Sequence, residues 1–187
     1  MNSKPKHLYH PHEFTKEKIE AAIKFCPRCA GGLIKQPVPP ESKMQLACDA
    51  CGFIFYLNPK VVGCAIPVLE NKVLLLRRNI EPSVGRWTFP GGFVDIGETV
   101  AEAAIRETKE EVNVDIEITS LLNVYSYAQA PVVIVVYMAK VIGGEPRTGI
   151  EAQGLAYFEY HQIPWNDLAF KNTGDALQAW GKLAGYV

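Results

Sequence analysis

Residues at 101, 104, 105, 108 and 112 (Ala101, Ala104, Ile105, Thr108 and Val112) recur at helical spacing, and Thr99 followed by Glu102 is a capping box. The pattern predicts an amphipathic helix that starts at Thr99 and buries that stripe. Upstream, residues 60–69 and 73–77 read as strands joined by a turn at Glu70-Asn71-Lys72. Downstream, strands are predicted at 116–127, 132–141 and 155–160. A last amphipathic helix, capped near Thr173, places Leu177, Trp180 and Leu183 on one face. This order of mixed strands and two helices suits an α/β/α sandwich, and no internal repeat interrupts it. Asn58-Pro59 marks the entry to that domain at residue 58. Residues 1–24 read as an N-terminal segment, partly helical over 15–24, and residues 25–57 as a small cysteine-bearing module with prolines at 37, 39 and 40.

The predicted helix carries an unusual second face. Stepping about 100° per residue, Glu107, Glu110 and Glu111 fall together at i, i+3 and i+4, off the apolar stripe. Like charges so close raise one another's pKa and destabilise an isolated helix, an arrangement that makes sense if a cation neutralises them. Oxygen ligands select Mg²⁺ or Mn²⁺ over zinc. Arg106 is placed to hold Glu110 in a fixed rotamer by a two-point hydrogen bond. Phe89-Pro90-Gly91-Gly92-Phe93 gives a tight turn whose carbonyls approach a metal without a Cβ in the way, and Gly91 is the candidate carbonyl ligand. An ordinary solvated acidic helix would explain the glutamates alone, but not the glycine turn and the arginine at the same spacing.

Cys26-Pro27-Arg28-Cys29, eighteen residues, then Cys48-Asp49-Ala50-Cys51 fits a four-thiolate zinc site, with Gly31 and Gly52 closing the two knuckles. Four protein ligands leave no position for water or substrate, so this zinc is structural. Two disulfides are the alternative, disfavoured because no signal peptide is evident. Cys64, inside the apolar run 61–66, reads as a core residue rather than a nucleophile. His7, His10, His12 and His161 form no ligand pattern.

The stretch from Gly92 to Val114 resembles the Nudix box, G-x5-E-x7-R-E-U-x-E-E-x-G-U with U aliphatic. Gly92, Glu98, Arg106, Glu107, Glu110, Glu111 and Val114 match. Thr108 replaces an aliphatic residue and Asn113 replaces glycine; asparagine still suits a left-handed helix C-cap. The resemblance implies a Nudix fold from about residue 60 with an N-terminal zinc ribbon. FCPRCAGG, LNPKVVGCAIPV, KVLLLRRNIEPSVGRWTFPGGFVDIGET and Leu168-Ala169-Phe170 bring it closest to plant-type FAD and ADP-ribose pyrophosphatases. It is less similar to NADH pyrophosphatases, whose SQPWPFPxS run is missing after the box.

What the resemblance implies is hydrolysis of a diphosphate bond to AMP. Mg²⁺ held by Glu107, Glu111 and the Gly91 carbonyl, with Glu110, would neutralise the diphosphate and acidify a water, and Glu98 would be a further ligand or helper. Gly154 stands where relatives often place another glutamate, with Glu151 the nearest substitute. Arg77 and Arg86 are candidates for phosphate contact, and Phe89, Tyr127 and Phe170 for stacking on a base, each with a bland competitor as a solvated or core residue. A homodimer is implied by the resemblance alone.

Composition changes this picture little. The 187 residues, 48% of them hydrophobic, suffice for one good core, and the net charge of −1 gives no reason to expect a nucleic-acid partner. Between Cys26 and Cys51 the only basic residues are Arg28, Lys35 and Lys43, which argues against a ribbon that grips nucleic acid. No apolar run approaches the roughly 20 residues of a membrane span, so a cytoplasmic enzyme acting on a small nucleotide is expected. A nucleotide sensor or nucleic-acid-binding regulator on a Nudix fold, and an NADH or NAD-cap pyrophosphatase, stay open as alternatives.

Overall fold

The computed structural model describes residues 16–128 and 130–187. They fall into two units. One comprises the described residues up to Pro59 with Ala130 and Pro131, the other Lys60–Ala128 and Val132–Val187.

In the smaller unit a short helix α1 (Lys16–Ala22) precedes three antiparallel strands, β1 (Leu33–Val38), β2 (Lys43–Cys48) and β3 (Ile54–Phe55), in the order β1-β2-β3. Cys26, Val38, Leu46, Ala47 and Cys48 are its buried apolar residues. Glu20 is also buried, and it is satisfied by Lys35 at 2.7 Å and Lys16 at 3.4 Å, a pairing that fastens α1 to β1. The Lys35 hydrogen bond holds the Glu20 carboxyl below its usual range against the opposing effect of burial.

The larger unit is a mixed sheet. Strands β4 (Lys60–Leu69), β5 (Lys72–Arg78), β6 (Trp87–Thr88) and β7 (Gly91–Phe93) lead to helix α2 (Val100–Val112). Strands β8 (Val114–Ser126), β9 (Val132–Gly144) and β10 (Ala152–Phe158), then helix α3 (Lys171–Leu183), complete it. The order is β10-β5-β4-β9-β8, with β6 added on β5 and β7 on β4; β4 and β9 run parallel and the other pairs antiparallel. The β4–β5 hairpin turns on Glu70 and Asn71, both with positive φ, while Leu69 pairs with Lys72. Two such residues give a turn whose twist matches the strands it joins.

Alternation along β5 explains the layering. Val73 and Leu75 enter one core with Ala176, Leu177 and Trp180 of α3, whereas Leu74 and Leu76 enter a second core with Ala104 and Val112 of α2. Each of these leucines, buried on folding, contributes about 1.5–3 kcal/mol. The result is the expected α/β/α sandwich. No helix among the described residues is long and apolar enough to cross a membrane.

Several elements differ from their sequence patterns. The buried face of α2 is Ala103, Ala104, Thr108, Glu111 and Val112, and Ile105 points outward. The stripe is rotated because Gly63 lets the helix start rest on β4: a Cβ there would meet the Val100 carbonyl at 2.6 Å. Helix α3 starts two residues before Thr173, at Lys171, with no side-chain cap, since the Thr173 hydroxyl is spent 3.1 Å from that of Thr88. Leu183 is 74% exposed and leaves the apolar face to Leu177 and Trp180. Tyr160 lies in a 3-10 turn rather than a strand, its ring stacked on Tyr186.

Candidate active site

Helix α2 positions the acidic cluster, and its ends form as the sequence predicts. The Thr99 hydroxyl accepts from the Glu102 N–H at 3.2 Å and the Glu102 carboxylate accepts from the Thr99 N–H at 2.7 Å. Asn113 closes the helix in the left-handed region at φ 57°.

Against this helix lies the glycine turn, and neither glycine has room for a side chain. A Cβ on Gly92 would sit 2.2 Å from the Glu107 carboxylate, and one on Gly91 would sit 2.3 Å from the Cys64 sulfur. Glu111, only 8% exposed, accepts a hydrogen bond from the Gly91 N–H at 2.9 Å. Burial pushes its carboxyl up to about 8 despite that bond, and the charges of Glu107 and Glu151 push the same way. Burial also raises Glu107, although Arg106 opposes the shift.

Arg106 is the hub of the cluster. Its Nε and Nη2 make a two-point bond to Glu98, at 3.0 and 2.7 Å, while Nη1 donates to Glu107 at 2.8 Å and reaches Glu110 only at 3.4 Å. Nη2 also donates to the Phe93 carbonyl at 3.1 Å. The two-point partner is therefore Glu98, not Glu110. The Arg106 guanidinium, with help from the Asp95 N–H, holds Glu98 down to about 2. Glu110 is exposed. Three glutamates, at 98, 107 and 110, thus meet one arginine, while Glu111 lies against the Gly91 N–H.

This donor set fits a hard divalent cation. It offers oxygen ligands only, an excess of carboxylates over nearby cations, and a buried carboxyl at a backbone turn too close for any Cβ. Among the described residues only the four cysteines bring three or more side-chain donors within 4.8 Å of one another, and the carboxylates do not converge to that degree. Mg²⁺ does not require it, because it keeps several waters and is held by one or two carboxylates together with substrate phosphates.

The expected substrate contacts separate under the structure. Phe89 is 3% exposed in the core shared with α3, so its ring has no face to offer a base. Phe170 precedes α3 and is half-buried, and Tyr127 donates its hydroxyl to Asp175 at 2.8 Å. Arg77 spends its Nε on the Gly85 carbonyl at 2.7 Å, and Arg86 reaches Asn166 and Asp167 at 3.4 and 3.9 Å.

The sequence reading passed over Arg78. Its guanidinium covers the Phe170 ring at 5.0 Å, donates to the carbonyls of Ile80, Glu81 and Pro82, and feels the charges of Glu111 and Glu151. Strand parity is the signal that separates the two arginines, since Arg78 follows Leu74 and Leu76 on the side of α2. Glu151 is exposed yet close enough to raise both Glu107 and Glu111, whereas Gly154 sits in β10 opposite Arg77. Cys64 is buried with its thiol pushed far up by burial, as suits a core residue.

In the smaller unit Cys26 and Cys51 sulfurs are 3.7 Å apart and those of Cys29 and Cys48 3.5 Å, with no disulfide. Those spacings approach the ~3.8 Å edge of a tetrahedron with Zn–S bonds of about 2.3 Å. Burial raises the Cys26 thiol, but the Arg28 and Cys29 N–H groups and its neighbouring thiols pull it down to about 7. Zinc fits.

A family model described as NUDIX domain matches residues 58–179. The chain belongs to the NUDIX family. A second model, described as Nudix N-terminal and named for a zinc ribbon, matches residues 24–57. The chain is similar to a crystal structure of a NUDIX hydrolase from Nitrosomonas europaea, at 38% identity and a TM-score of 0.80 over 87% of this chain and 94% of that one. It is 40% identical to an ADP-ribose pyrophosphatase of Methanocaldococcus jannaschii over 62% of this chain and 71% of that protein. An NAD-capped RNA hydrolase of Vibrio atlanticus is 25% identical over 76% of this chain, which spans only 52% of that relative. The chain is a Nudix pyrophosphohydrolase with an N-terminal zinc ribbon.

Proposed function

We propose that this Nudix enzyme cleaves the diphosphate bond of an adenosine diphosphate linked to a second moiety, of ADP-ribose or FAD type, and releases AMP with Mg²⁺ or Mn²⁺ as cofactor. The observation that carries this reading is the buried Glu111 carboxylate pinned to the Gly91 N–H beside Glu107. The archaeal relative named ADP-ribose pyrophosphatase supports the substrate class.

Glu107, Glu111 and the Gly91 carbonyl, with Glu110, would hold the cation. The chemistry supplied there would be neutralisation of diphosphate charge and a lowered pKa for a bound water. Arg106 keeps Glu107 oriented and is itself anchored by Glu98, whose low pKa makes it an anchor rather than a proton acceptor. The attacking water forms one P–O bond as the bridging P–O bond breaks, and its proton passes to a carboxylate. Glu151, outside the helix and within electrostatic reach of Glu107 and Glu111, is the acceptor we put to the test. Zinc in the four-thiolate site is structural.

Product analysis of the zinc-loaded protein with Mg²⁺ against ADP-ribose, FAD, NADH and a nucleoside triphosphate tests the reading, with Glu111→Gln as the blank. AMP from ADP-ribose or FAD, reduced about 10²-fold or more in the variant, supports it. Preferred cleavage of NADH moves the assignment to the alternative pyrophosphatase, and no turnover of any substrate refutes the hydrolase. If Glu151→Gln leaves rate and metal dependence unchanged, Glu151 is not the acceptor.

A further inference from the structure

Between β9 and β10 the chain crosses the C-terminal end of α2 as a strap, residues 145–151, that carries Glu151 to the acidic cluster. None of these residues is buried: Gly149 is half-buried, the others are exposed, and Ile150 stands 93% in solvent. A segment with no apolar anchor of its own keeps its place only through hydrogen bonds and close backbone contact.

Those bonds come from both sides. On the α2 side the Asn113 amide donates to the Glu145 carbonyl at 2.7 Å, and the N–H groups of Arg147 and Gly149 donate to the carbonyls of Val112 and Glu111 at 3.1 and 2.9 Å. The strap thereby satisfies carbonyls that a helix end leaves without intrahelical partners. On the β5 side Asn79 donates its N–H to the Glu151 carbonyl at 2.7 Å and its amide to the Ile150 carbonyl at 3.2 Å. At Gly149 the strap lies directly on the helix: a Cβ there would meet the Glu110 carbonyl at 2.5 Å and the Glu111 Cα at 3.3 Å. Its φ is not positive, so missing space rather than torsion excludes a side chain. The carbonyl that receives Gly149 belongs to Glu111, whose carboxyl is pinned to Gly91. Immediately after the strap, Ala152 is buried in the core under α2. Glu151 sits between these two fixed points, in reach of the charges of Glu107, Glu111 and Arg78.

We propose that Gly149 and Asn79 are positioning residues for the reaction: they latch the strap between α2 and β5 and so hold the Glu151 carboxylate where it takes the proton of the attacking water. This rests on the acceptor role given to Glu151 above and names the two residues that set its place.

Steady-state kinetics on the full zinc-loaded chain, with whichever of ADP-ribose, FAD and NADH it cleaves best, test this through a double-mutant cycle. Gly149→Ala lifts the strap and lowers kcat about 10–100-fold, with KM changed far less, as displacement of a reacting group does. In the Glu151→Gln background the same substitution changes kcat by no more than about twofold, because the group it misplaces is already gone. Asn79→Ala, which removes one of the two bonds on the β5 side, costs about 3–10-fold in kcat, and that loss too vanishes in the Glu151→Gln background. Amide exchange at Arg147 accelerates about tenfold or more in Gly149→Ala while β4 and β5 keep their protection. Thermal melting verifies that each variant is folded, and Asn79→Ala carries the cycle if Gly149→Ala is not. Where Glu151→Gln lowers kcat, losses that multiply with it, or a kcat unchanged by Gly149→Ala, overturn the positioning role alone. A rate indifferent to Glu151→Gln instead overturns the acceptor assignment, and the positioning role with it.

Discussion

The two candidate metal centres differ in how finished they are before any ion arrives. In the ribbon, four sulfurs already lie within 4.8 Å of one another, at spacings close to a zinc tetrahedron. In the Nudix unit the carboxylates of Glu107, Glu110 and Glu111 share one end of a helix without converging. Sulfur ligands close a site that serves the fold, whereas separated oxygens leave coordination positions for water and phosphate. A tight cluster therefore marks the structural ion and a loose one the working ion.

The largest effect that would sharpen this contrast is removal of zinc. Stripping zinc with a chelator, or replacing Cys48 by Ser, costs the ribbon about 10 kcal/mol or more of folding free energy. Amide exchange should then accelerate across residues 25–57 while β4, β5 and β9 keep their protection. A ribbon that remains protected without zinc would break the comparison. Next in size, Arg106→Gln removes the two-point bond to Glu98 and the bond to Glu107. It should lower kcat by about 10–100-fold and weaken Mg²⁺ in a metal titration, as loss of a group that orients ligands does. Unchanged Mg²⁺ affinity would remove Arg106 from that role.

The smallest effect is in pH. The folded pKa of Glu111, about 8, lies above an unfolded value near 4.3. Its contribution to stability is present below the unfolded value and is lost as pH rises through 8. The metal-free enzyme should melt at a lower temperature at pH 9 than at pH 6, Glu111→Gln should flatten that slope, and Mg²⁺ should restore most at the alkaline end. Melting curves with and without Mg²⁺ check all three, and a metal-free slope unaffected by the substitution would mean Glu111 is not the group responsible.

What the sequence made legible was local. The Thr99–Glu102 capping box, the left-handed Asn113 and the cysteine spacing each depend on residues a few positions apart, and each is present as expected. What it hid depends on distant neighbours. Periodicity placed Glu111 off the core, but the sheet and the glycine turn rotate α2 so that this carboxylate is buried. Helical spacing paired Arg106 with Glu110, and the loop that brings Glu98 back over the helix offered better geometry. Thr173 looks like a cap until Thr88, far away in sequence, claims its hydroxyl. Phe89 beside a glycine turn gave no sign of which way its ring would face, and only the layer under α3 decides it.

Strand β5 carries a consequence for how this chain tolerates length changes. Its leucines feed two cores in alternation, and Arg77 and Arg78 end it on opposite sides. An insertion or deletion of one residue inside β5 would exchange the occupants of the two cores and hand the Phe170 clamp to the wrong arginine. A change of two would preserve sidedness but displace both arginines by about 6.6 Å along the strand. The loop at residues 79–86 is held at both ends, its first carbonyls by Arg78 and its last turn by the bonds of Arg77 to Gly85 and of Ser83 to Ala169. The reach of this strand is therefore a fixed measure, set in the hairpin at Glu70-Asn71 and read out in the contacts of Arg77 with Gly85 and of Arg78 with Phe170.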